Sequence, residues 1–326
     1  MRKLILLILL TACIVGFSGH VHADDNLVAS LETLNDGVSV QRAGTLGFVA
    51  VKKETLVGVG DSIKTDSNGQ ARITFFANGT DTTVLPGTEF RIDSFSGSED
   101  QYQLAVTVVV GQTESRVQKL LDSGSSYQIN SSGMEMAVRG TVFAVRVEQS
   151  GRSATIVEQG LVKTKSSGSA SMNADIPAGY GVRTDKNKGL SDVVKAANFK
   201  QLDSALDGCG ALIQTIGDVV LNVRLGPGLN FQRIGELETR RLEKVIGETE
   251  TTQWYRIPYR GGFAWVFAPA LKLDSGCPGL RQFSDSYGPE DGTQYSNLDK
   301  GIVVTPLPTM TPTPLPTLEA TGAATP

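Results

Sequence analysis

The groups in this 326-residue chain that could do chemistry are carboxylates, cysteines, serines and aromatic side chains. Glu89 and Asp93 are the carboxylate pair to test for glycosidic acid–base work. Four residues apart on a strand, they would lie ~13 Å apart. Glycosidic pairs need ~5 to 9.5 Å. Arg91 stands between them, so the face Glu89, Arg91, Asp93 reads as an exposed charge ladder, which is worth little energetically. The serines of 123–132 could pair with a lysine base. No Gly-x-Ser-x-Gly elbow accompanies them, and they read as loop residues. Asp185-Lys186-Asn187-Lys188-Gly189 is a weak calcium-loop pattern. It lacks the third acidic ligand and the distal Glu and holds two lysines, so a turn is expected there.

Histidine narrows the chemistry further. His20 and His22 both fall in the first 23 residues. Met1 to Ala23 has a basic start at Arg2 and Lys3, an apolar core from Leu4 to Phe17, and a cleavage pattern at Val21-His22-Ala23, which together make an export signal. Cys13, after Leu10-Thr11-Ala12, offers a lipid-anchor alternative. The apolar core continues through Ile14 to Phe17 past that cysteine, so simple cleavage after Ala23 is the preferred reading. The mature chain then has no imidazole. That excludes His acid–base catalysis, Ser-His and Cys-His nucleophiles and His metal ligation. We expect no enzyme, no cofactor and no metal.

Loss of Arg2 and Lys3 takes the net charge from −4 to −6. No Lys/Arg-rich block is present, so nucleic acid is not an expected partner. No later stretch approaches the ~20 apolar residues of a membrane span. Cys209 and Cys277 remain after cleavage, and an even pair in an exported chain suggests a disulfide, with free reactive thiols as the alternative.

The elements that must position any site are short strands. Val142 to Val147 alternates, with Phe143, Val145 and Val147 on one face, and the nearly apolar second face suggests cover on both sides. After a turn at Gln149 to Arg152, a second apolar run is interrupted by Gly160, which predicts a hairpin with a kinked second strand. Phe48 to Val51 is a continuous apolar run, as in a strand covered on both faces. Asp66-Ser67-Asn68-Gly69 reads as a hairpin turn. Arg139, between two apolar runs, is either a structural arginine tied to carbonyls or a carboxylate, or an anion-binding residue, and the first is preferred. Ser191 to Leu206 is the helical candidate, capped by Ser191. The tail after Thr305 is Pro/Thr-rich and cannot build a core.

Arg139-Gly140-Thr141 with Phe143 and Val145, followed by Ile156-Val157-Glu158-Gln159-Gly160-Leu161-Val162, resembles the FecR domain family. Gly60 to Thr65, Phe76 to Thr80, Leu85 to Ile92 and Ile176 to Val182 fit the same pattern, so the resemblance covers about residues 36 to 185. It implies a β-sheet domain in which Arg139, Gly140, Thr141, Phe143 and Gly160 are structural motif residues. FecR-type regulators need a cytoplasmic segment and a span before the periplasmic domain. Here only Arg2 and Lys3 separate Met1 from the apolar core, so signalling is placed second to a binding or scaffolding role.

Leu221-Asn222-Val223-Arg224-Leu225-Gly226-Pro227-Gly228, Trp254-Tyr255-Arg256-Ile257 and Gly261 to Val266 resemble the bacterial SH3-like family over residues ~215 to 273. The resemblance implies a small β-barrel whose ends meet near Cys209 and Cys277. Such domains often bind cell-wall peptides, which makes Arg224, Tyr259, Tyr255 and Asn222 the candidate ligand-binding residues. Trp254 and Trp265 either join Tyr255 and Tyr259 in an aromatic groove or fill the core, and the second reading is preferred.

The expected organisation is mainly β: signal 1–23, FecR-like domain 24–189, helical connector 190–208, SH3-like barrel 209–277 and disordered tail 278–326. The expected role is an exported envelope protein, extracellular or periplasmic, that contacts cell-wall or other envelope components. Regulation of the FecR type and service to a wall hydrolase are the alternatives.

Overall fold

The computed structural model describes residues 27–77, 79–98, 101–118, 124–167, 172–184, 189–215, 217 and 219–286. The signal segment, Asp185 to Lys188 of the calcium-like stretch and the Pro/Thr tail lie outside the described residues. The fold is mainly β. It divides into two compact units, the first running to Ala178 and including Thr184–Leu190, the second comprising Gly179–Arg183 and the chain from Ser191.

The first unit holds β1 (Leu27–Asn35), β2 (Val38–Gln41), β3 (Phe48–Val51), β4 (Glu54–Gly58), β5 (Ser62–Thr65), β6 (Gln70–Phe75), β7 (Asp81–Val84) and β8 (Glu89–Gly97). It continues with β9 (Tyr102–Arg116), β10 (Ser126–Asn130), β11 (Met134–Val138), β12 (Val142–Val147), β13 (Ser153–Gln159), β14 (Leu161–Ser166) and β15 (Asn173–Pro177). One sheet runs β4–β1–β6–β7–β9–β12–β13. The other runs β3–β2–β5–β8–β9–β10–β11–β14–β15.

The 15-residue β9 belongs to both sheets. Its first part pairs with β8 and β10, and Gly111–Arg116 pairs with β12. Gly111 sits at the changeover with φ +99°, and a Cβ there would lie 2.5 Å from Thr88 Cα. Thr88 Oγ1 stitches the bend by accepting from Gln112 N (2.9 Å) and donating to Gln112 O (3.1 Å). The inward faces follow the period-two alternation of the sequence: Ala71, Ile73 and Phe75, Phe90 and Ile92, Leu104, Val106 and Val108, Phe143, Val145 and Val147 are all buried. Each large apolar side chain so buried contributes roughly 1.5–3 kcal/mol. Tyr127 is buried with them, its hydroxyl bonded to Thr82 Oγ1 at 3.3 Å. Burial pushes its phenol up to about 12.

The central stretch makes a corner. The chain leaves β11 in one sheet, turns through Arg139-Gly140-Thr141, and enters β12 in the other. It returns after β13, crossing back at Gly160 into β14. The expected kink in the second strand is therefore a full change of sheet. Gly160 has φ +87°, and a Cβ on it would lie 2.6 Å from Thr141 Cγ2 and 2.8 Å from Gly140 O. Thr141 O accepts from Val117 N at 2.9 Å, tying the corner to the end of β9. Arg139 is exposed, whereas Thr141 and Phe143 are buried. The second face of β12, Val142, Ala144 and Arg146, is half-buried rather than fully covered.

Two further expectations are corrected in this unit. β3 pairs only with β2 among the described ladders, and Phe48, Val49 and Ala50 are exposed. A continuous apolar run marks a covered strand only when something covers it, and β3 is an edge. Asp66 to Gly69 is not a hairpin turn, because β5 and β6 belong to different sheets. Asp66 Oδ1 accepts from Asn68 N (2.9 Å) and Gly69 N (2.8 Å). Those two bonds hold its carboxyl below the usual carboxylate range.

The second unit holds β16 (Tyr180–Thr184) up to Arg183, β17 (Val194–Lys195), α1 (Phe199–Asp207), β18 (Cys209–Ile213), β19 (Leu221–Arg224), β20 (Arg233–Leu237) and β21 (Leu242–Val245). It ends with β22 (Gly247–Thr249), β23 (Trp254–Tyr259), β24 (Gly262–Phe267), β25 (Leu271–Leu273) and β26 (Gln282–Phe283). The helix starts eight residues later than expected. Asn198, not Ser191, caps it, its Oδ1 accepting from Gln201 N at 2.9 Å. Ser191 instead bonds Arg183, donating its N–H to Arg183 O (2.8 Å) and accepting from Arg183 N at Oγ (3.0 Å). Val194 then pairs with Gly181, so a strand contact overrides the helical pattern. Arg183 is gripped by Asp207 and Asp203, at 2.7 and 3.1 Å, which holds its guanidinium above the ordinary arginine value.

The strands around this core form two sheets, β21–β18–β25 and β20–β19–β24–β23–β22–β26, and not a closed barrel. Cys209 and Cys277 are disulfide-bonded, with Cα atoms 5.8 Å apart and a sequence separation of 68.

Two outcomes test this description. Gly160→Ala is expected to destabilise the folded chain by about 2–3 kcal/mol in urea unfolding, through forced positive φ and the clash with Thr141. A change within about 0.5 kcal/mol would contradict the corner. Replacing both Cys209 and Cys277 by Ser is expected to cost about 4 kcal/mol, the loop-closure value for a loop of this size. A loss below about 1 kcal/mol would show that the bond is not a main support of the unit.

Candidate functional site

Register decides what each predicted ligand residue can reach. On β19, Leu221 and Val223 point into the core that also takes Ile257, Ala264 and Val266. Asn222 and Arg224 therefore point to the opposite face. On β23, Tyr255 and Tyr259 flank Ile257 and pack against that core. The four residues are thus split between the two faces of one sheet.

Each is also engaged locally. Arg224 donates to Leu229 O (3.1 Å) and Phe231 O (2.7 Å), closing the Leu225–Phe231 loop. Asn222 Oδ1 accepts from Arg233 at 3.4 Å. Tyr259 lies over Gly235, where a Cβ would come within 1.9 Å of its hydroxyl oxygen. Arg260 stacks on the outer side of the same ring, 5.1 Å from its centroid.

The face carrying Asn222 and Arg224 also holds a buried aromatic cluster, in which Trp254 and Trp265 were expected and Phe283 was not. Trp254, Trp265 and Phe283 are buried together. Arg256 lies among them at 1% exposure. Its guanidinium carbon stands 4.2 Å from the Phe263 ring centroid and 4.7 Å from that of Phe283, so the charge is sandwiched between two π faces. Phe283 also meets Trp265 edge to face, with centroids 5.7 Å apart. Residues 278–286, assigned from sequence to the tail, contribute this ring and β26 to the second unit. Their polar, glycine-containing neighbours hid it. The signal that could have revealed it is the isolated apolar pair Leu280 and Phe283, close behind Cys277.

Glu248 and Tyr255 stand opposite each other on β22 and β23. Burial raises the Glu248 carboxyl. The Tyr255 phenol is raised first by burial and then by the Glu248 charge.

In the first unit, a groove of about 600 Å³ runs over β2, β3 and β5, lined by Asp36, Ser39, Ala50, Lys52, Lys64 and Asp66 among others. Beside it the apolar edge continues: Leu46 is fully exposed, Val49 is 69% exposed, and Phe48 is 38% exposed with Lys64 over its ring at 5.5 Å. Arg91 and Asp93 pair at 2.7 Å and Lys64 and Glu89 at 3.8 Å, a surface ladder. Among the described residues, no group of three His, Cys, Asp or Glu side chains is disposed to hold a metal.

Residues 61–163 match the FecR protein family. The FecR match takes in β5 to β13 and both sheet-changing glycines, Gly111 and Gly160, and leaves the β3 edge outside it. No curated protein matches the chain. Two crystal structures of a proposed anti-sigma factor from Parabacteroides distasonis ATCC 8503, at 1.65 and 2.50 Å, align with it at 18% identity and TM-score 0.34. They cover 48% and 47% of this chain and 68% and 67% of theirs.

Glu248 yields a signed pH prediction. Ionising it costs more in the folded than in the unfolded chain, so stability falls as pH rises from the ordinary glutamate value through the raised one. Glu248→Gln is expected to be more stable than the parent at pH 7, with the gain vanishing below about pH 4. Thermal melts across that range check it, and a gain that is equal at both ends would contradict the assignment.

Proposed function

We propose that this chain is an exported envelope protein that regulates by binding another protein, in the manner of FecR-type signalling, and catalyses nothing. The observation that carries the reading is the FecR match across the two-sheet frame. It moves regulation ahead of the scaffolding role that the sequence alone put first. The exposed edge β3 supports it, because a strand with apolar side chains that pairs on one side only among the described ladders is suited to adding a strand from a partner. Export rests on the Met1–Ala23 pattern. The second unit is proposed as an SH3-like module on the strength of the Leu221–Gly228, Trp254–Ile257 and Gly261–Val266 motifs, with cell-wall peptide as its ligand class.

Crosslinking in the native envelope, followed by recovery of the tagged protein, tests the leading reading. The parent should carry one enriched protein partner, and Val49→Lys should reduce its recovery at least ten-fold while leaving the melt unchanged. Equal recovery from both would sink it. Enrichment on purified cell wall alone, with no protein partner, would instead favour the wall-peptide module.

A further inference from the structure

The edge of the second unit at β22 is already occupied, and by a segment with the character of a ligand. β22 pairs antiparallel with β23 on one side. On its other side it receives β26 in parallel, Glu248 opposite Gln282 and Thr249 opposite Phe283. Two backbone bonds attach the strap: Glu248 N donates to Arg281 O (2.9 Å) and Glu250 N to Phe283 O (3.0 Å). Gln282, Ser284, Asp285 and Ser286 are exposed, and Phe283 is buried.

The slot that takes Phe283 is built to shape. Gly247 forms one wall, where a Cβ would fall 2.2 Å from the Phe283 ring. Trp265 meets the ring edge to face at 88°, and Arg256 covers it with a guanidinium. Arg256 also lies over the Phe263 ring at 4.2 Å, a contact that does not involve the strap. Thr251 Oγ1 donates to Asp285 at 2.6 Å just beyond the slot, and Asp192 pairs with Arg281 at 2.8 Å just before it.

We infer that this slot and the β22 edge form a binding site for an extended peptide bearing a phenylalanine- or tyrosine-type side chain, and that Arg281–Asp285, beyond the core residue Leu280, is a displaceable occupant supplied in cis. Strand addition supplies the backbone bonds, and the Trp265–Arg256–Gly247 slot supplies selectivity for an aromatic ring over an aliphatic chain. The site is independent of the β3 edge, so failure of either leaves the other standing.

The test uses the full-length protein with Phe283→Ala and a synthetic peptide of residues 279–286. The variant should bind the peptide at least ten-fold tighter than the parent does. Replacing the peptide's phenylalanine by leucine should weaken binding, and replacing it by alanine should abolish it. A folded variant that ignores the peptide, or that binds the alanine peptide equally, overturns the proposal. Should Phe283→Ala fail to fold, hydrogen exchange on the parent decides. The Glu248 and Glu250 amides, which bond the strap, should exchange at least ten-fold faster than those of Ile246 and Ala268, which bond Arg256 O and Gln253 O. Equal rates would make the strap a fixed part of the fold and end the idea.

Discussion

The first unit depends on one steric constraint: backbones must cross between two sheets where no side chain fits. Gly160 rests against Gly140 and Thr141, and Gly111 rests against Thr88. Without those crossings β9 could not serve two sheets, and β12 and β13 could not leave the sheet of β11 and β14. The buried alternation of Phe143, Val145 and Val147 has value only because the corner delivers those residues to the inner face. The Arg-Gly-Thr motif is then a geometric device. Its arginine is exposed and its threonine buried.

A frame of this kind leaves edges. Both sheets end somewhere, and at β3 the end is apolar, with Lys64 over the Phe48 ring. At β22 the end is closed by the chain's own strap. Sheet edges are where backbone groups remain available for pairing, and they are usually shielded. In the interior, Thr82 bonds both Ser115 and Tyr127.

Much of the fold was legible in the sequence because alternation reports burial directly, as with Ala71, Ile73 and Phe75. The sheet to which each strand belongs was not legible. Asp66 to Gly69 gives the same turn signal whether the chain folds back in one sheet or passes to the other. Phe48 to Val51 reads alike as a covered strand or a bare edge, since composition does not record what lies beside it. The helix start slipped because Val194 found a strand partner in Gly181. Asn222 and Arg224 were grouped with Tyr255 and Tyr259 by surface character, and only the register shows that they face opposite ways. Arg256 and Phe283 were missed because they lie 27 residues apart in sequence and meet only through the parallel pairing of β26. The disulfide, by contrast, followed from an even cysteine count.

In the function proposed above, a partner adds a strand to the β3 edge. Hydrogen exchange on the tagged protein recovered from its envelope with the partner attached tests it most directly. The amides of Phe48 to Val51 should gain protection relative to the isolated protein, while β9 and β12 stay unchanged. Protection gained elsewhere, with the β3 amides exchanging as fast as before, would contradict the account.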